Sequence, residues 1–299
     1  MSAGWLLALL AATAAAAAEP DRFYFSGDGT LTLAHAHFAG ETLHVRYRDA
    51  DGRYDPAALA RVEHFFRSRE DGAQGAVSLR LLELLDYVED RYHPTRLTLV
   101  SGYRSPEFNR ALRGKGRQVA QASLHAEGMA ADVRPAGVKL RPLWNQLRAA
   151  QVGGVGLYQG EGFLHLDTGR ARFWEAATSG VAQNAAQQNA RLFARTDFDR
   201  YDSLAGAVLS LHSITVLPLG VRRTARLGRD AVVLTARGAR AEGECWVFAE
   251  PAARYELEVE TAIAAPAART PLVLETCTPR IGATPREITT NAVQRRAPP

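Results

Sequence analysis

Cysteine is nearly absent: the 299-residue chain has two, Cys245 and Cys277. Neither sits at metal-ligand spacing, which excludes a thiolate-held zinc site. Long apolar runs are missing past residue 18, where no stretch approaches the roughly 20 residues that a membrane helix needs. Charge of one sign is not concentrated either: 36 Lys and Arg face 32 Asp and Glu, for a net charge of +4. The basic residues are spread among acidic ones, which argues against a nucleic-acid binder with its clustered Lys and Arg. A polyanionic partner such as a cell-wall polymer stays compatible. No internal repeat is visible. What is present is ordinary for a globular protein, at 46% hydrophobic and 23% charged residues, and the length suits one large domain or two ordinary ones.

The N-terminus, MSAGWLLALLAATAAAAAEP, carries an apolar run from Trp5 to Ala18 that ends in small residues before Glu19 and Pro20. It reads as a signal peptide over residues 1–18, although no Lys or Arg precedes the run. The expectation is therefore an exported protein, periplasmic by preference, with no stable membrane insertion after cleavage. An uncleaved anchor is the competing reading. No Cys follows the run, so a lipid-modified N-terminal cysteine is not expected. In an oxidising compartment Cys245 and Cys277 are expected to pair, closing a loop of about 30 residues worth on the order of 3–4 kcal/mol; the alternative is two buried thiols.

Residues 23–47 alternate (TLTLA, TLHVRY) between Gly-containing turns and predict short antiparallel strands. Asp55-Pro56 predicts a helix start, with Asp55 as N-cap and Pro56 in the first turn. Leu59, Val62 and Phe66 follow at helical spacing. A second helix is expected after Ser78, and RLTLV (96–100) reads as a buried strand. Ser105-Pro106 predicts a third helix, residues 114–122 a polar loop, and 142–151 a further helix. The fold class expected is α+β: a first domain over 19–177 with a small antiparallel sheet and flanking helices. An Ala/Gln/Asn-rich linker over 178–200 follows, then a β-rich domain over 201–283 that would fit a sandwich, and a disordered tail over 284–299.

Chemistry concentrates in SGYRSP (Ser101–Pro106), SLHAEGMAADV (Ser123–Val133) and GFLHLDTG (Gly162–Gly169). His125, Asp132 and His165 supply two imidazoles and a carboxylate, a full protein ligand set for a catalytic zinc with one position open. His125 and Asp132 are seven residues apart, about 10 Å along a helix, so they can share one ion only if the chain reverses between them. Gly128 offers that turn. Strand alternation would put His165 and Asp167 on one face and Leu164 and Leu166 in the core. The histidines at 35 and 37 form an HxH pair without a third ligand, and a solvated hairpin face is expected for them. His44, His64, His93 and His212 belong to no motif, and Trp144, Trp174 and Trp246 read as core.

Taken together and in order, SGYRSPEFN, SLHAEGMAADV and GGVGLYQGEGFLHLDTGRARFW resemble the LAS-type zinc D-alanyl-D-alanine carboxypeptidases and murein endopeptidases, most of all the short exported murein endopeptidases of Gram-negative bacteria. The resemblance covers residues 23–176 or so and says nothing of 200–299. It implies one Zn2+ per chain on His125, Asp132 and His165, and peptidoglycan stem peptides or cross-links as substrate. A zinc-activated water would be the nucleophile. Arg104 is the expected oxyanion or substrate-carboxylate partner, and Ser123 and Tyr103 are expected to line the site. Superfamily members that place a Glu three residues before the last His have no counterpart here, because that residue is Gly162. Asp167 is the nearest substitute as general base, with orientation of a ligand as its alternative role; Glu161 is weaker. The competing functions are an inactive wall-binding scaffold and a zinc peptidase for non-wall peptides.

Overall fold

The computed structural model describes residues 22–108, 123–178, 192–212, 217–250, 252, 254–277 and 284–296. The expected leader, the expected loop 114–122 and most of the expected linker lie outside them. Seven strands form the first sheet: β1 (Thr30–His35), β2 (Thr42–Arg46), β3 (Arg96–Ser101), β4 (Ala130–Ala136), β5 (Gly154–Tyr158), β6 (Phe163–Asp167) and β7 (Arg172–Glu175). Their order is β2-β1-β3-β4-β6-β5-β7. The sheet is larger than expected and mixed rather than antiparallel, because β1 runs parallel to β3 and β5 parallel to β7.

Period-two alternation decides what each face carries. Leu31, Leu33, Leu97, Leu99, Ala131, Val133, Val155, Leu157, Leu164 and Leu166 lie in one buried cluster with the apolar residues of three helices. The helices are α1 (Pro56–Phe65), α2 (Leu79–Tyr92) and α3 (Leu140–Ala150). Each fully buried Leu or Val contributes roughly 1.5–3 kcal/mol. The intervening residues on β4, β5 and β6, among them Asp132, Gly156 and His165, are left to the opposite face. Asp55 caps α1 as its spacing predicts, accepting from the Ala57 amide, and Ser105 Oγ accepts from the Phe108 amide at 3.0 Å.

One buried acid sits off this face. Asp86 on α2 accepts from the Tyr47 hydroxyl at 2.6 Å and from the Gly29 amide at 2.8 Å. Burial, reinforced by Asp90 and Asp28, raises its carboxyl from 3.8 to about 7. The fold therefore favours the protonated acid, and that stabilisation is present at low pH and lost as pH rises through 7. Asp86→Asn should melt close to the parent at pH 3.5 and several degrees above it at pH 8.5, the gap opening between about pH 4 and 7. The same melting difference at both pH values would contradict this account.

A second, separate cluster holds Leu192, Leu209, Leu211, Val221, Val232, Phe248, Leu257, Leu274 and Val293, inside a ten-stranded sheet in which eight strands follow one hydrogen-bonded path and two branch from it. Two corrections to the sequence reading fall here. Phe193–Thr196, expected as linker, is a strand of this sheet, and so is Glu287–Arg295, expected as a disordered tail. The reason lies in long-range polar pairing: Asn291 accepts from the Thr196 amide at 2.9 Å and donates to Asp199 at 2.8 Å. A polar composition looks loop-like until its partners, about 95 residues away in sequence, are in place. Cys245 and Cys277 are bonded to each other. The overall class is mixed α/β with mostly sheet. No helix among the described residues is long and apolar enough to cross a membrane.

Candidate metal centre

Asp132 on β4 and His165 on β6 are direct cross-strand partners, and Gly156 on β5 is the next position in that row. His125 reaches the row from the turn that precedes β4. Gly128 makes the turn possible at φ +65, where a Cβ would meet the Ala76 carbonyl at 1.7 Å; only glycine meets both conditions. Its amide bonds the His125 carbonyl, and the Met129 amide bonds the Leu124 carbonyl at 2.8 Å. The chain thus reverses between His125 and Asp132 as the metal reading required.

The three ligand atoms lie within 4.8 Å of one another. His125 Nε2 is 3.2 Å from His165 Nδ1, and Asp132 Oδ1 is 2.9 Å from His165 Nδ1 and 3.5 Å from His125 Nε2. The far side of each ring is already engaged. His125 Nδ1 is 2.8 Å from the Gly102 carbonyl, and His165 Nε2 is 2.9 Å from Asp167 Oδ2. Both acceptors call for an N–H on that side, which leaves the lone pairs of His125 Nε2 and His165 Nδ1 converging beside a carboxylate oxygen. Two facing lone pairs and an anion suit a cation, and zinc by donor type.

Electrostatics at His125 and Asp132 point the same way, whereas the two acids beside His165 favour its protonated form when no cation is bound. Burial, with Arg104 close by, lowers His125 to about 4, so the ring is neutral at physiological pH. Burial opposes ionisation of Asp132, but the charge and hydrogen bonds of the two histidines and Arg104 hold it well below the ordinary range. For His165, burial is outweighed by its hydrogen bonds to Asp132 and Asp167, and its pKa is raised.

Arg104 lies against Asp132. Its guanidinium donates to Asp132 Oδ2 at 2.7 Å and to Ser101 Oγ at 3.0 Å. It therefore orients the Asp132 carboxylate, a contact the sequence reading did not foresee. Asp167 is closely surrounded by donors. It is fully buried and its two oxygens accept from His165, the Gly154 and Gly169 amides and both terminal nitrogens of Arg172, at 2.7–3.1 Å. Arg172 and His165 hold it ionised against its burial. With its lone pairs committed to these donors, Asp167 is placed to orient His165, the alternative role that the sequence reading gave it. Ser123 is buried at the start of the turn, where its carbonyl accepts from the Ala126 amide. Tyr103 turns its ring toward Gly75, with burial and Asp71 raising its pKa. Glu161 lies exposed in the β5–β6 turn.

Three residues at the site, Trp174, Tyr158 and Gly156, had no functional role in the sequence reading. Trp174, expected in the core, is only half-buried, with its ring 5.1 Å from that of His165. It donates from Nε1 to the Tyr158 hydroxyl at 3.2 Å. Gly156 makes room for it, since a Cβ there would lie 2.6 Å from the indole. The parallel pairing of β5 with β7 sets Gly156 beside Trp174, and no local spacing in the sequence reveals that pairing.

Comparison with known proteins gives one family match, described as peptidoglycan L,D-endopeptidase MepK, over residues 27–174. The chain is 34% identical over 145 residues to the peptidoglycan L,D-endopeptidase MepK of Escherichia coli K12, covering 48% of this chain and 79% of that protein. The Shigella flexneri protein of the same name matches equally. A probable peptidoglycan L,D-endopeptidase MepK of Haemophilus influenzae is 30% identical over 138 residues, 46% of this chain and 74% of that protein. No solved structure matches the chain.

Proposed function

We propose, on the premise that this chain belongs to the peptidoglycan L,D-endopeptidase MepK family, that it is an exported zinc peptidase cutting an L,D amide bond in peptidoglycan cross-links. The observation that carries the zinc reading is the convergence of His125 Nε2, His165 Nδ1 and Asp132 Oδ1, each ligand fixed from behind by its own partner. Zinc held there would supply Lewis acidity, polarising an amide carbonyl and bringing the pKa of water toward neutral.

The remaining work falls to this chain's own residues. Arg104 anchors Asp132 and brings positive charge beside the site, where a developing oxyanion or a stem-peptide carboxylate would be stabilised. Asp167 holds the Nε2 proton of His165 and keeps Nδ1 free. Trp174 and Tyr158 wall one side and shield the histidine from bulk water. The leader over 1–18 and a periplasmic location fit a wall substrate, and peptidase chemistry is assigned to the first sheet and its helices.

The test is a digest of purified peptidoglycan by the mature protein, with and without a zinc chelator, read by mass spectrometry of the released fragments. Cross-linked dimers should fall to monomers, with the chelator stopping the conversion. A folded, zinc-loaded protein that releases nothing would favour a wall-binding scaffold instead.

A further inference from the structure

The turn that carries His125 is held from two sides. On one side are the elements of the first sheet: the Gly102 carbonyl at His125 Nδ1, and the Ser78 amide bonded to the Gly128 carbonyl at 2.9 Å. On the other is the C-terminal β unit. Phe193 and His212 are register partners on adjacent strands of that unit, their rings stacked at 5.1 Å and 23°. Phe193 packs in one buried cluster with Leu124, Met129 and Ala130, residues that flank His125 in sequence. His212 Nδ1 pairs with the Glu127 carboxylate, and both side chains are largely buried. A further grip lies beyond His165: Arg195 donates to the Gly169 carbonyl, while the Gly169 amide donates to Asp167 at 2.9 Å. The two units are joined more broadly by Arg80 with Asp199 at 2.5 Å and by the Phe23 ring 5.3 Å from that of Phe198.

The family match ends at residue 174, so nothing shared with the relatives assigns these contacts. We propose that the C-terminal β unit is a positioning clamp of the metal centre, with Phe193 and His212 seating the Ser123–Met129 turn so that the His125 imidazole stays aimed at the ion. The inference rests on the zinc reading above. The physical logic is that of an outer contact on a metal ligand. A short exposed turn samples many conformations, and each degree of freedom frozen beforehand is one that metal binding need not freeze. An apolar wedge and a buried His212–Glu127 contact, both bearing on the same seven residues, remove that freedom from outside the peptidase sheet.

The test uses the full-length chain with His212→Ala and Phe193→Ala, and with His212→Asn, which keeps a side-chain N–H for Glu127. Three readouts are taken: backbone hydrogen exchange over 123–129, zinc affinity by chelator competition, and kcat and KM on solubilised cross-linked peptidoglycan fragments. Both alanine variants should exchange faster in the turn, bind zinc about 10–100-fold more weakly and lose kcat with KM little changed. His212→Asn should recover part of each. Folded alanine variants with parental exchange, zinc affinity and kcat overturn the proposal. Should they fail to fold, Glu127→Gln loosens the same contact with the C-terminal unit intact, and unchanged readouts there overturn it equally. A parent chain that binds no zinc would refute the metal reading on its own, while the exchange rates would still report whether the turn is clamped.

Discussion

His125→Ala should bring peptidoglycan cleavage down to the buffer blank and remove the bound zinc, with the fold intact. The expectation follows from position. His125 is 2% exposed, yet it lies outside the cluster that packs the first sheet against its helices. Its loss costs a metal ligand and one hydrogen bond to the Gly102 carbonyl, and leaves the apolar core untouched. Two remaining ligands are too few for a catalytic zinc, which needs three from the protein. Zinc content by elemental analysis, far-UV circular dichroism and the fragment digest are read on the same sample. A variant that keeps stoichiometric zinc and parental turnover would show that the three side chains do not share an ion.

Asp167→Asn should have the next largest effect, and it separates two roles that the sequence left open. As an orienting group, Asp167 fixes the His165 tautomer through Nε2. Asn offers one oxygen where the carboxylate offered two, and its amide hydrogens must face Arg172 or the Gly154 and Gly169 amides, all of which donate. His165 then loses its fixed tautomer, and zinc affinity should fall about 10–100-fold, with activity falling alongside it. As a general base, the same substitution would lower kcat and leave zinc in place. Chelator competition distinguishes the outcomes directly: unchanged zinc affinity with lost turnover would restore Asp167 as the base.

Both predictions concern residues that the sequence singled out, and the reason is local. HxxxxxxD with a glycine between its ends, and HxD on an alternating apolar strand, carry their geometry in their spacing. A turn at Gly128 and a period of two are enough to aim His125, Asp132, His165 and Asp167. The α1 cap at Asp55 and the alternation of the sheet's buried leucines were legible on the same basis. Partners supplied by distant chain were not legible. Nothing near Arg104 says that its guanidinium will rest on Asp132, 28 residues on. Nothing in the Asp167 neighbourhood says that all its lone pairs will be filled, and Trp174 reads as an ordinary core aromatic until β7 runs parallel to β5.

The strands at 193–196 and 287–295 make the same point in the second sheet, since their polar side chains look like linker and tail without the pairings they satisfy. The amino-acid sequence by itself determined the candidate ligand residues, the reversal between His125 and Asp132 and the family to which the chain belongs. The tertiary structure alone decided which groups hold those ligands from behind, and that His212 and Phe193, bearing no motif, sit against the turn that presents His125. Periodicity and capping act over a few residues and leave a pattern in the chain, whereas ion pairs and packing across units are fixed only when the backbone brings remote positions together.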